Sequence, residues 1–339
     1  MWKRSKRDIS QSPRCIMIFA QGRSSIRLKF LKQKQSNHNM PFEIKIRQTG
    51  IFRTRLKIER LNTVSCVIGM HDRFQRFTDM IPSEGYLIIY DPEHIGTGVR
   101  MRYAEDETEE TVLSVPGVTT KYDIELLMKL TAAVMKKWHT RTIEYDGFTY
   151  KRDALSELGE ILCAKSRKVL SEIRSDYDTG LRLVHGALWP LMFETDQIRS
   201  YAAEDEWEKF AALLHECQAR KLYWCACHVF LDDDQKNYQG VMTIVCGIDT
   251  IIPLKPAPPV DMIDPVSGDA IECRKYLARI VTGPNRRPIM QMEYHKFLEM
   301  IHAWEMPLYD ACHVVYRADE EKLLKEAERQ EEMEGKPCW

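Results

Sequence analysis

The stretch that most constrains the fold runs from Thr119 to Tyr150, TTKYDIELLMKLTAAVMKKWHTRTIEYDGFTY. It reads as a capped helix, a strand, a tight turn and a returning strand. Thr120 followed by Asp123 fits a capping pattern at a helix start, where a carboxylate also suits the positive end of the helix. Ile124, Leu127, Met128, Thr131, Val134, Met135 and Trp138 recur at helical spacing along one face. Thr142 to Tyr145 has strand character, Asp146-Gly147 is a hairpin-turn pair, and Phe148 to Tyr150 returns.

Two later stretches share this helix-then-strand order. Leu213 to Asp232 and Phe297 to Arg317 both read as helix, short link and strand containing Cys-His. They form a candidate duplicated α+β unit rather than a solenoid repeat, because no fixed period holds. Around these anchors, Met40 to Tyr150 is mainly strands closed by one helix, with Tyr86 to Tyr90 a buried strand and Asp91 to Gly98 a loop. Residues 152–174 form a long amphipathic helix that ends at Ser175 to Gly180. Glu204 to Ala219 is a second core helix, followed by strands at Leu222 to Leu231 and Val241 to Cys246. Ile251 to Pro265 is a proline-rich extended connection. Tyr276 to Val281 and Ile289 to Met292 flank a Gly283-Pro284-Asn285 turn, before a helix over Glu293 to Trp304. The expected organisation is a basic extension over 1–39, α+β domains over 40–175 and 181–318, and an acidic helix and tail over 319–339. Each domain is a mixed or antiparallel sheet covered by helices.

Charge separates the front of the chain from its body. Residues 1–60 carry 16 Lys and Arg against three acids, a net of +13; the remainder carries 33 against 47, a net of −14. The first 39 residues show no apolar period, and Met40 starts an alternating, strand-like run. Translation starting at Met40, or a disordered tail, accounts for this segment more simply than a transit peptide or nucleic-acid arm. A nucleic-acid surface would place its basic charge on the folded body. No apolar run reaches the length of a membrane span. The ten cysteines are scattered without regular spacing, which fits free thiols in a reducing cytosol.

The reactive residue types do not assemble into chemistry on spacing alone. His215, Cys217, Cys225, Cys227, His228 and Cys246 look like a metal cluster. Yet Cys225 and Cys227 lie roughly 6–7 Å apart along a strand, too far for adjacent zinc ligands. Cys227-His228 and Cys312-His313 are neighbours on opposite strand faces, so neither pair makes an activated nucleophile. Gly96-Thr97-Gly98 precedes a strand and not a helix, which reads as a loop or bulge and not a phosphate cradle. Asp232-Asp233-Asp234 resembles the opening of a calcium loop, but Lys236 occupies a ligand position. Pro253-Leu254-Lys255-Pro256 has polyproline spacing and is better explained as an ordered edge segment. No catalytic, cofactor-binding or metal residue is assigned.

IIYDPEHIGTGVR, TTKYDIELLMKL and DTIIPLKP together resemble an uncharacterised family of bacterial cytosolic proteins, known as a domain of unknown function. The resemblance covers about Met40 to Glu320 and implies a soluble bacterial context, with no catalytic residue or ligand. The favoured function is a non-catalytic binding or regulatory module, of the immunity or adaptor sort, whose acidic terminal helix meets a protein with a basic patch. The alternative is an enzyme with an inter-domain cleft using His94 and the carboxylates Asp261, Asp264, Asp269 and Glu272. Nucleic-acid binding through residues 1–60 ranks below both.

Overall fold

The structure, a computed structural model, describes residues 41–48, 53–61, 65–72, 75–105, 109–175, 180–231, 237–257, 262, 264, 271–282 and 287–334. The first part of the chain builds one large sheet from β1 (Phe42–Arg47), β2 (Val67–His71), β3 (Phe77–Thr78), β4 (Glu84–Tyr90), β5 (Val99–Ala104) and β6 (Glu110–Val115). Helix α1 (Lys121–Trp138) follows, and β7 (Thr142–Tyr145) and β8 (Phe148–Lys151) complete the sheet before α2 (Leu155–Glu172). Its order is β3-β2-β4-β5-β6-β1-β7-β8, and all neighbouring strands pair antiparallel.

The local signals at Thr119 to Tyr150 have the expected form. The Thr120 side chain accepts from the Asp123 amide while the Asp123 carboxylate accepts from the Thr120 amide, a complete capping box. Asp146 and Gly147 both adopt positive φ, 54° and 79°, the backbone of a two-residue hairpin turn. Ile124, Leu127, Leu130, Val134 and Met135 are buried against Ile44, Ile46, Leu87, Ile89, Val99, Met101 and Leu113 of the sheet. Burying each such side chain contributes about 1.5–3 kcal/mol.

The second part is less local. A hairpin of β9 (Leu181–His185) and β10 (Pro190–Glu194) runs into α3 (Thr195–Ser200), then α4 (Glu204–Ala219). β11 (Tyr223–Trp224), β12 (Cys227–Leu231), β13 (Tyr238–Val245), β14 (Asp249–Pro253), β15 (Cys273–Thr282) and β16 (Arg287–Glu293) precede α5 (Tyr294–Met300), β17 (His313–Arg317) and α6 (Glu320–Glu334). They form a three-stranded sheet, β11-β14-β17, and a four-stranded sheet, β12-β13-β15-β16. Both are mixed, with β11–β14 and β13–β15 parallel. The protein is thus α+β, with helices covering antiparallel and mixed sheets.

Three differences from the sequence reading have physical causes. The single strand expected over Leu222 to Leu231 is two, because the Cys225 amide donates to Ile251 O and the chain then crosses to another sheet. Ile251 to Pro253, expected at the head of an extended connection, belongs to a central strand, Asp249–Pro253, paired on both sides. The apolar core does not change over at 176–180. Val184, Leu191, Phe193, Trp207, Phe210 and Leu214 pack into the same cluster as Phe42 to Ile173, and a second cluster opens at Cys225.

Candidate functional site

The Asp91–Gly98 loop, which carries His94 and the two glycines, joins the end of β4 to the start of β5. Its amides do surround an anion, and that anion belongs to the protein. Asp123 Oδ1 accepts from the Gly98 amide at 2.9 Å, and Oδ2 accepts from the Thr97 amide at 2.9 Å. Oδ2 also accepts from the Thr97, Thr119 and Thr120 hydroxyls, at 3.1, 3.1 and 2.8 Å. From the opposite side, Gln218 donates to Gly96 O at 2.7 Å and accepts from the Leu188 amide at 2.8 Å. His215 Nδ1 accepts from the Ile95 amide at 3.0 Å, which leaves the ring proton on Nε2. Both carboxylate oxygens of Asp123 are engaged, so the loop is a clamp between α1 and α4 and its anion seat is filled.

His94 itself is exposed at the rim of this clamp. Its ring stacks on Tyr122 with centroids 3.9 Å apart, and Nδ1 lies 3.4 Å from Asp91 Oδ2. The carboxylates paired with it in the enzyme reading lie elsewhere. Asp264 accepts from the Tyr238 hydroxyl at 2.7 Å, Glu272 is exposed before β15, and Asp261 and Asp269 lie outside the described residues. Among the described residues no hydrogen bond or ion pair joins His94 to Asp264 or Glu272. Two surface pockets, one at Tyr238, Arg274 and Lys275 and one at Cys246, Arg317 and Glu320, do not include it.

The sulfur and imidazole groups between 215 and 246 are dispersed in the same way. His215 serves the loop, the Cys217 thiol approaches Tyr309 O, and the Cys225 thiol donates to Thr243 O at 3.3 Å. Burial pushes the Cys217 and Cys246 thiols up to about 11 and Cys227 up to about 12. They are protonated and poorly nucleophilic at neutral pH. Asp232 to Lys236 and the Gly283-Pro284-Asn285 turn lie outside the described residues.

A group that the sequence reading set aside does assemble. Asp310, Cys312 and His313 place their ligand-type atoms within 4.8 Å of one another, and Cys312 Sγ lies 3.4 Å from His313 Nδ1. These neighbours do not face apart, because Cys312 precedes the strand, which begins at His313. The chemistry remains structural. Asp310 Oδ1 accepts from the Cys312 and His313 amides, both at 2.9 Å, and Oδ2 from the Met192 amide at 2.9 Å. His313 Nδ1 lies 2.7 and 2.9 Å from the two oxygens, which makes it a donor to the carboxylate. The thiol meets that same nitrogen, so no proton relay from thiol through imidazole to carboxylate is arranged. Burial, reinforced by the Asp310 charge, holds the Cys312 thiol up at about 12. An i, i+2, i+3 pattern of Asp, Cys and His at a turn was the available sequence signal.

This knot anchors a surface loop. Between α5 and β17, His302 takes a left-handed turn at φ 53° and a short 3-10 helix follows over Ala303–Glu305. Ala303 is fully buried beneath it. At the far side the Tyr309 hydroxyl accepts from Trp189 Nε1 at 3.0 Å and donates to Cys217 O, while the Tyr309 amide donates to His313 O. Between these fixed ends Trp304 and Leu308 stand 63% and 61% exposed. Glu305 is exposed on the same segment, and Glu299 is exposed in the last turn of α5 before it. The sequence pattern hides this pair, because it carries Trp304 into the helix expected over Glu293 to Trp304, which ends at Met300.

Comparison with known proteins adds one match. The model of a family described as a domain of unknown function, DUF4299, matches residues 39–326. No curated protein and no solved structure matches.

Proposed function

Since the chain belongs to that domain-of-unknown-function family, DUF4299, whose description carries no activity, we propose a role from its surface: a protein-binding module that presents the Trp304–Leu308 loop. The observation that carries this is the contrast between a locked base and an apolar tip. Tyr309 and Asp310 tie one end into β10, α4 and β17, while Trp304 and Leu308 project into solvent. Exposed large apolar groups on a preorganised loop cost little ordering entropy on binding, and tryptophan is the residue most enriched at interface hot spots. Glu299 and Glu305 supply an acidic rim, so the complementary partner has an apolar pocket edged with Lys or Arg. The acidic residues Glu320 and Glu321 of α6 extend the same sign of charge along the chain; Glu328, Glu331 and Glu332 have side chains outside the described set. Free cysteines throughout the described residues support a reducing, cytosolic setting.

The test uses the full chain as bait against lysate from the source cells, followed by purified partner in a binding-rate measurement. Trp304→Ala and Leu308→Ala should each weaken binding about tenfold or more, the scale of a hot-spot truncation, with thermal unfolding unchanged. Glu299→Lys with Glu305→Lys should slow association and remove its salt dependence. Undiminished binding by Trp304→Ala sinks the proposal.

A further inference from the structure

Side chains on the face of the large sheet turned away from α1 fall into two sectors. Towards β8 the charges close on one another: Lys45 with Glu144 at 3.8 Å, Arg47 with Glu110 at 2.7 Å, and Arg102 with Glu110 at 2.8 Å. The next row breaks this balance. Strand register sets Ser114, Arg100 and Ile88 side by side across β6, β5 and β4, and Glu43 lies one strand beyond Ser114. Arg100 is half-buried, and among the described residues its side chain has no hydrogen bond or ion pair; burial draws its pKa down. A desolvated guanidinium is normally matched by a carboxylate.

The β9–β10 turn overhangs this spot. Ala187 packs on Ile88 and Tyr90 of that face, and a Cβ on Gly98, at the start of β5, would lie 3.2 Å from the Ala187 Cβ. His71, at the end of β2, holds Ala187 O through Nε2 at 2.9 Å. His185, the last residue of β9, is close enough to Arg100, His71 and Arg182 for their positive charges to act on it. Burial and those neighbours push its ring down to about 4, and burial lowers His71 as well. Asp72, the carboxylate that acts on His71, is already held by Arg76 at 2.8 and 3.0 Å. Tyr86 is the remaining titratable neighbour of Arg100. A planar guanidinium, the His185 imidazole, the Nδ1 that His71 keeps beyond its bond to Ala187 O and the Ser114 hydroxyl are a donor set that suits a phosphate-class oxyanion.

We infer that Arg100, His71 and His185, beside the β9–β10 turn, bind a small oxyanion of the phosphate class, either free or as the phosphoryl group of a small ligand. The anion supplies the negative charge that Arg100 lacks beside it, Glu43 standing two strands away across Ser114, with the Arg100 fork on two of its oxygens. This site is separate from the Trp304 loop and does not rest on the binding role proposed for it. Because an anion favours protonated imidazoles, binding takes up protons and strengthens as pH falls from 8 towards 6.

Calorimetric titration of the full chain with sodium sulfate, whose charge is constant over this range, tests the site against sodium chloride at matched ionic strength. Sulfate should bind, with affinity rising several-fold between pH 8 and pH 6, and Arg100→Gln should weaken it tenfold or more. Nuclear magnetic resonance of the unmodified protein provides the second readout: ring signals of His71 and His185 should move on adding sulfate, while those of exposed His295 stay. Inorganic phosphate and glycerol 2-phosphate separate the two sources, since a phosphomonoester site prefers the ester and a free-anion site does not. A response equalled by chloride, unaltered affinity in Arg100→Gln, or unmoved His71 and His185 signals would each overturn the inference.

Discussion

Gly96 and Asp123 fit together because the glycine has no side chain: a Cβ on Gly96 would lie 2.8 Å from Asp123 Cγ and closer still to Oδ2. The missing methyl is the space in which the carboxylate reaches the Thr97 and Gly98 amides.

That relationship predicts a coupled pair of substitutions. Gly96→Ala should destabilise by about 2 kcal/mol through overpacking, and Asp123→Ala by about 3 kcal/mol, since it strands several buried donors. The double variant should lose clearly less than the sum, because removing the carboxylate makes room for the methyl. Urea unfolding of the four proteins measures the coupling; strict additivity would show that the two residues do not share the clamp.

A second prediction concerns acid. His185 is held near 4 in the folded protein, below its ordinary 6.5, so the unfolded chain binds the proton first as pH falls. The stability linked to this ring is complete above 6.5 and is lost progressively down to about 4. The loss attributable to it is about 3 kcal/mol at most. Comparing urea midpoints at pH 7 and pH 4.5, His185→Gln should show a smaller drop than the unaltered protein. An equal drop would place the acid sensitivity elsewhere.

Thiol chemistry gives a third. With Cys217 near 11 and Cys227 and Cys312 near 12, all three should resist iodoacetamide at pH 7.5 in the folded protein and label readily in urea. Peptide mapping after brief labelling reads this directly. Rapid native alkylation of Cys312 would mean that its thiol is activated by His313 after all.

The fourth tests the base of the exposed loop. Asp310→Ala removes the acceptor for the Met192, Cys312 and His313 amides, and should cost about 3 kcal/mol. Amide exchange at Met192 and His313 should accelerate together, because one carboxylate protects both. Acceleration at one alone would divide the knot into separate pieces.

What the sequence made legible is what its near neighbours decide. Thr120 and Asp123 are three residues apart, and Asp146 and Gly147 adjoin, so cap and hairpin follow from local rules. Partners far along the chain were the obstacle elsewhere. Asp249–Pro253 becomes a central strand only because Tyr223–Trp224 and His313–Arg317 arrive on either side. Cys312 meets His313 only because the strand starts at His313, two residues after the Ala311 that its apolar pattern suggests. The oxyanion row is hidden more deeply, since Arg100 and His185 come from β5 and from a hairpin more than a sheet away in sequence, and periodicity records burial without recording what opposes it.

The strand order also bears on how the chain is made. All eight strands of the large sheet lie between Phe42 and Lys151, so they can pair while the rest is still being translated. The three-stranded sheet, by contrast, waits for His313–Arg317, the last of the described strands in chain order. Until then β14 has one long side unpaired, open to another chain. Nascent chains stopped before residue 313 should therefore be the species that need a chaperone, although their first half is already built.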